Sequence, residues 1–216
     1  MKGLLLRSVG AIRRKWAYLR ARSEFTCLGH QWVVREGVVN PSLISASRQF
    51  AQKALQAMPP QAKSALELGT GCGMTAVLLA LRGLKVTAVD ISLPALENAA
   101  ENAQRNGVRL DLILSDWDAK IPTTQQFDYV VANPPYLRHS SDPAFTAGTQ
   151  LEQVLACLNA VRNRLAAEGR ALLMSSSWSG RDLVLQHIAT AGLRVVNTDR
   201  KFCGNEWIYL DLCEAE

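Results

Sequence analysis

The residues best placed by type and spacing to do chemistry lie in the run Val130-Val131-Ala132-Asn133-Pro134-Pro135-Tyr136-Leu137. An apolar core strand that stops on Asn and two prolines ends abruptly, because proline fixes its own φ and cannot donate to a sheet ladder. Asn133 brings a side-chain acceptor, and Pro134 leaves its carbonyl free while adding no competing donor. Two acceptors on a proline-stiffened turn take both hydrogens of a planar –NH2 group, draw its nitrogen toward sp3 geometry and aim its lone pair. The gain is positioning, together with stabilisation of the positive charge that grows on nitrogen. Tyr136 adds a ring on which the flat group can stack, worth about 1–3 kcal/mol when that group is a base. The catalytic candidates are therefore Asn133, Pro134 and Tyr136, and with Pro135 they form the substrate-binding set. No strong base is required, since an alkylated nitrogen of this kind loses its proton readily. His30, His139 and His187 need no catalytic role, although His139 lies close in sequence to the turn.

A donor pocket is spelled out upstream. Glu67-Leu68-Gly69-Thr70-Gly71-Cys72-Gly73-Met74 follows a strand-like run and leads into a helical one. Glycines at alternate positions let the backbone turn tightly and let a ligand approach the main chain. The absence of Gly-Lys-Ser/Thr excludes a triphosphate P-loop, and the spacing departs from the dinucleotide pattern. Glu67 would repel a pyrophosphate and attract a cationic amino-acid ligand. Asp90, followed by Ile91, closes the next strand at a distance that suits two ribose hydroxyls. The alternative for Asp90 is an acid stabilising the helix that begins near Ser92 and Pro94. After the third strand, Asp116 can accept from an adenine amine and Trp117 offers a flat wall. Glu67, Gly69, Thr70, Gly71, Asp90, Ile91, Asp116, Trp117 and Asn133 together describe a pocket for adenosine carrying a positive amino-acid tail, which is S-adenosylmethionine.

These residues need a scaffold that presents strand ends side by side. Strand-like runs occur at Ser64–Leu68, Lys85–Asp90, Leu110–Leu114, Phe127–Ala132 and Ala171–Ser175, with two more at Arg194–Thr198 and Trp207–Leu212. Helical windows fall at Ser42–Met58, Met74–Leu81, Pro94–Arg105, Thr149–Ala166 and Arg181–Ala191. Strands separated by such helices predict right-handed crossovers and a mostly parallel α/β sheet, with ligands outside the carboxyl ends of its strands.

The chain of 216 residues is 48% hydrophobic and 20% charged, enough for one domain with a real core. No apolar run approaches the roughly 20 residues of a membrane span. Five scattered cysteines without a C-x-x-C pair argue against a metal site and against a disulfide framework, and fit a cytoplasmic protein. The net charge of +5 is concentrated at the start: seven basic residues stand against Glu24 alone in residues 1–24. Leu5, Val9, Ile12, Trp16 and Leu19 fall on one helical face there. Residues 1–37 are thus expected as a basic amphipathic arm ahead of a catalytic domain at 38–216. Packing on the domain, a nucleic-acid contact, a partner-docking helix and organellar targeting all remain open for that arm.

ELGTGCG, VTAVDIS, SDW and ANPPY in this order resemble the class I methyltransferases that act on planar nitrogens. More narrowly, the segment from Val89 to Val108 and FDYVVANPPYL are similar to the release-factor glutamine methyltransferases of the HemK/PrmC type and their shorter relatives. The likeness runs from about Val38 to Leu212. It implies a Rossmann-like seven-stranded sheet of order 3-2-1-4-5-7-6 with the seventh strand antiparallel. It further implies that the Asn-Pro-Pro-Tyr turn grips a glutamine amide of a Gly-Gly-Gln loop, and that Ser45 covers the cofactor from the Asn40–Ser45 segment. A small activating subunit is a partner that the short relatives suggest. The chain departs from the pattern in having only about 60 residues before the first strand and a short segment after Tyr136. The acceptor is thus expected to be a protein glutamine first, then an exocyclic amine of nucleic acid, then a small metabolite. A non-catalytic partner subunit is the reading from a different class.

Overall fold

The computed structural model describes residues 22–138 and 145–216. The amphipathic pattern of residues 1–21 and His139 lie outside the described residues. The described chain enters through an antiparallel hairpin, β1 (Ser23–Cys27) and β2 (His30–Val34). Leu28 and Gly29 link them with φ of 53° and 80°, a two-residue turn whose twist matches the strands. A short 3-10 turn (Pro41–Leu43) then precedes α1 (Ser45–Ala57).

From there strands and helices alternate: β3 (Ser64–Leu68), α2 (Met74–Leu81), β4 (Lys85–Asp90), α3 (Leu93–Arg105), β5 (Asp111–Leu114) and β6 (Phe127–Ala132). The second half comprises α4 (Glu152–Arg164), β7 (Leu165–Ser176), α5 (Arg181–Thr190), β8 (Leu193–Cys203) and β9 (Glu206–Ala215). The seven-stranded sheet has the order β5-β4-β3-β6-β7-β9-β8. Counted within the sheet alone, that is the expected 3-2-1-4-5-7-6. Strand β9 runs antiparallel to both neighbours, and the strands from β5 to β7 pair in parallel.

The pleat divides the core between the two faces. Along β6, Val130 and Ala132 join Val154, Leu158 and Ile188 of α4 and α5. Tyr129 and Val131 point the other way, into Phe50, Ala54 and Leu79 of α1 and α2. Both faces are covered, which is why the central strands read as continuous apolar runs. Strand order reverses where β3 meets β4 on one side and β6 on the other, and a crevice opens there beyond the strand ends.

Some boundaries differ from expectation for local reasons. Helix α1 starts at Ser45, not Ser42, because Asn40 accepts from the backbone N–H of Ser42 at 2.9 Å and from its hydroxyl at 2.7 Å, winding a separate turn first. Helix α4 starts at Glu152, since Leu151 sits at φ 60°. Strands β7, β8 and β9 are longer than their apolar cores suggested. No helix among the described residues is long and apolar enough to cross a membrane.

Candidate active site

The glycine turn is built outward from β3. The N–H groups of Gly69 and Thr70 both bond to the Val89 carbonyl, at 2.9 and 3.0 Å, which joins the turn to β4. Gly69, Gly71 and Gly73 have φ of 74°, 56° and 80°, a backbone region that only glycine enters without strain. A Cβ on Gly69 or Gly71 would project into open space, whereas one on Gly73 would stand 2.7 Å from the Cβ of Ala99. The first two glycines therefore clear room for a ligand, and the third lets α3 pack on the turn.

Glu67 closes the floor of this turn. Its carboxylate accepts from the Thr70 hydroxyl at 2.6 Å and from the Ala76 N–H in the first turn of α2 at 2.9 Å. Burial nevertheless pushes its pKa up to about 7, with the Asp90 charge adding to the rise. Asp90, at the end of β4, accepts from the Gly71 N–H and the Ser92 N–H, each at 2.9 Å. It thus ties the glycine turn to the residue that leads into α3, while α3 itself has no acid in its first turn and no side-chain cap. Burial raises its pKa as well.

A cleft of about 530 Å³ opens above these groups. Its wall includes Glu67, Gly69, Thr70, Gly71, Asp90, Ile91, Asp116, Trp117, Asn133, Pro134, Pro135 and Tyr136, so twelve of the thirteen sequence-derived site residues converge. Trp117 stands at φ 41°, and its indole N–H reaches Gln153 at 3.4 Å. Ser45 is the exception. It sits exposed at the start of α1 outside the cleft wall, while Ser47 and Phe50 of the same helix line it. The 3-10 turn ahead of α1 sets which side of the helix faces the cleft.

The Asn-Pro-Pro-Tyr turn forms the far wall. Asn133 Oδ1 is buried and accepts no hydrogen bond from the described residues. A buried acceptor without a donor is costly, so this atom is suited to a donor that arrives with a ligand. Tyr136 is buried, and its carbonyl accepts from the Ser179 hydroxyl at 2.9 Å, which braces the turn from the segment after β7. The charged groups on the described wall are all acidic: Glu67, Asp90 and Asp116. Among the described residues, no group of His, Cys, Asp and Glu could hold a metal ion.

Pro41 and Ile44 belong to the Asn40–Ser45 segment expected to cover the cofactor, and both line the cleft. Val38, ahead of that segment, and Met174, at the end of β7, are further wall residues that carry no such expectation. Their sequence signal is weak, because isolated apolar residues in a connecting segment look like ordinary packing.

A family model described as the methyltransferase small domain matches residues 43–203. The chain belongs to the methyltransferase small-domain family. Within it, this methyltransferase is 31% identical over 208 residues to the release factor glutamine methyltransferase of Bordetella pertussis, covering 89% of this chain and 75% of that one. It is 30% identical to the Escherichia coli enzyme of the same description, covering 90% and 78%. Among solved structures, a 16S rRNA N2 methyltransferase of Thermus thermophilus, in complex with AdoMet and guanosine, superposes with a TM-score of 0.65. That match is 20% identical and covers 90% of this chain and 50% of that one. The small-domain methyltransferase is thus an S-adenosylmethionine-dependent N-methyltransferase. The open space above Gly69 and Gly71, the acidic wall and the unpartnered Asn133 oxygen all fit that cofactor and an –NH2 acceptor.

Proposed function

We propose that the chain methylates the side-chain amide nitrogen of a glutamine in a protein, with a peptide release factor as the acceptor. The observation that carries the chemistry is the buried, unpartnered Asn133 oxygen on the cleft wall beside the carbonyl-bearing Pro134. The release factor glutamine methyltransferases, similar over most of their length, support the acceptor. An uncharged amide also suits a cleft whose described charges are all negative.

S-adenosylmethionine, when bound, supplies the methyl group, its C–S bond breaking as the C–N bond forms and the nitrogen then losing a proton to water. The main chain of Gly69 and Gly71 lies open to the cofactor's amino-acid portion, and Glu67 stands ready to balance its positive charge. Asp90 would hold the ribose hydroxyls with its remaining lone pairs, and Ile91, Trp117 and Asp116 would hold the adenine. Asn133 and the Pro134 carbonyl hold the amide hydrogens, and Tyr136 backs the amide plane. Positioning of this kind contributes through entropy already lost on binding and through acceptors aimed at developing positive charge. The reading places the protein in the cytoplasm.

A second reading is an exocyclic amine of a nucleic acid, favoured by the same four residues, which serve a base as well as an amide. The test is incubation with labelled S-adenosylmethionine and a purified release factor, followed by mass mapping of the label. A methyl group on a glutamine side chain is expected. Label found only on added RNA or DNA would replace the first reading with the second.

A further inference from the structure

We infer that the tip of the β8–β9 hairpin is the docking surface for the acceptor protein, which meets it with an acidic face; this rests on the protein-glutamine reading. The tip carries the most exposed aromatic side chain of the described chain, Phe202, at 60%, beside Trp207 at 41%. The two rings meet edge to face with centroids 5.4 Å apart, and the Arg200 guanidinium lies over Trp207 at 5.2 Å. Trp, Arg and Phe grouped in this way are the side chains that carry binding energy in protein interfaces.

The charge on the tip is one-sided. Arg200 and Lys201 are exposed and have no carboxylate within ion-pair distance among the described residues. The neighbouring acids are already engaged: Asp199 pairs with Lys53 at 2.7 Å, and Glu206 turns inward onto the Ser176 hydroxyl. Arg200 lies beside the exposed rings, and Lys201, one residue on and so on the other face of the hairpin, is a second unpaired cation at the tip; both call for acidic groups on whatever covers the tip. The cleft, by contrast, has no cation on its described wall. The neutral nitrogen and the acidic surface are therefore recognised at different places.

Those places lie at the same end of the sheet. In register, Ala132 pairs with Leu173 and Ser176 with Ile208, so the tip projects beyond the carboxyl ends of β6 and β7. Counting two strand spacings and three residues along β7 puts Trp207 about 14 Å from Asn133. The two are also linked by contacts. The Trp207 carbonyl accepts from the Ser177 N–H at 2.8 Å, the Trp207 N–H donates to the Ser177 hydroxyl at 3.1 Å, and Ser179 holds the Tyr136 carbonyl. A small metabolite held in the cleft would leave the tip uncovered. A folded protein that inserts one glutamine covers it.

The test compares two acceptors: a purified release factor and a short synthetic peptide carrying the target glutamine in unmethylated form. Variants Arg200→Glu, Phe202→Ala and Trp207→Ala change exposed side chains, and melting curves check that each is folded. The protein KM is expected to rise about tenfold or more in Arg200→Glu and in Trp207→Ala. Peptide kinetics and cofactor affinity are expected to stay at wild-type values. An unchanged protein KM, or an equal loss with the peptide, would overturn the docking role. So would variants that lose binding to a single-stranded oligonucleotide while the protein KM holds. If the wild type methylates neither the protein nor the peptide, the glutamine reading itself has failed, and the docking inference with it.

Discussion

The side-chain amide of Asn102 donates to the Cys72 carbonyl in the glycine turn at 2.7 Å and to the Val33 carbonyl in β2 at 2.9 Å. Its oxygen accepts from the Val33 N–H at 2.8 Å. One fully buried residue of α3 thereby joins the N-terminal hairpin to the glycine turn that lines the cleft. Asn98, one turn earlier, donates to the same Val33 carbonyl and accepts from the Arg35 N–H, and Asn106, one turn later, reaches the Gln31 carbonyl. Residues four apart share a helical face, so the three form a row along the hairpin. Only Asn102 also touches the glycine turn.

Asn102→Ala should accordingly weaken cofactor binding as well as the fold. Each buried backbone group left unpaired costs about 1–3 kcal/mol, enough to loosen the turn and reduce affinity about tenfold or more. Asn106→Ala, which removes bonds to the hairpin and to the Asn102 backbone carbonyl but none to the glycine turn, is expected to leave affinity near wild type. Calorimetric titration of both variants with S-adenosylmethionine checks the pair. Equal affinities would show that the hairpin does not act through the glycine turn.

The Glu67 carboxyl gives the cofactor-free protein a definite pH dependence. Burial lifts its pKa from 4.5 to about 7, with Thr70, Thr75 and the Ala76 N–H opposing the rise. Between those values the unfolded chain ionises while the folded one stays protonated. The unfolded state then binds fewer protons, so stability falls as pH rises through that window and levels off above it. The span corresponds to a loss on the order of 3 kcal/mol. Thermal melts from acid to neutral pH should show this decline, and Glu67→Gln should flatten it. A cationic ligand favours the carboxylate, so cofactor binding below pH 7 should release a proton that the Gln variant does not. Identical melting profiles for the two proteins would rule out the raised pKa.

Gly71 and Gly73 separate ligand clearance from packing. Gly71→Ala meets no atom and bears only the left-handed backbone cost of about 1–2 kcal/mol. It should fold and bind S-adenosylmethionine poorly, because the new methyl group stands in the cofactor's approach. Gly73→Ala puts a Cβ against Ala99 in addition to the same backbone cost, so it should melt well below Gly71→Ala. Melting curves with and without cofactor distinguish the two. A Gly71→Ala protein with full cofactor affinity would contradict the clearance assigned to that glycine.

The central strands and their terminal residues were legible because they are local. Ser64–Leu68, Lys85–Asp90 and Phe127–Ala132 are buried on both faces, so apolar continuity marks them, and each stops on the residues that enter the cleft. The β1–β2 hairpin was hidden. Trp32, Val33 and Val34 are buried by α2 and by the asparagines of α3, partners about 40 to 70 residues away that no periodicity reveals. Ser45 was carried over from a likeness of spacing, and the separate 3-10 turn leaves it facing out while Ser47 and Phe50 face in. The aromatic tip escaped for a similar reason: Phe202 and Trp207 adjoin only once β8 and β9 pair, and the sequence pattern alone reads them as strand residues.

The proposed chemistry requires Asn133 to grip the nitrogen that accepts the methyl group. The most direct measurement is the initial rate of methyl transfer from labelled S-adenosylmethionine to a release factor by Asn133→Ala, with cofactor affinity determined on the same preparation. Removing one aimed polar group from a transition state costs about 10²- to 10³-fold in rate. A loss of that size with cofactor affinity close to wild type is the predicted result. Turnover near the wild-type rate would contradict it.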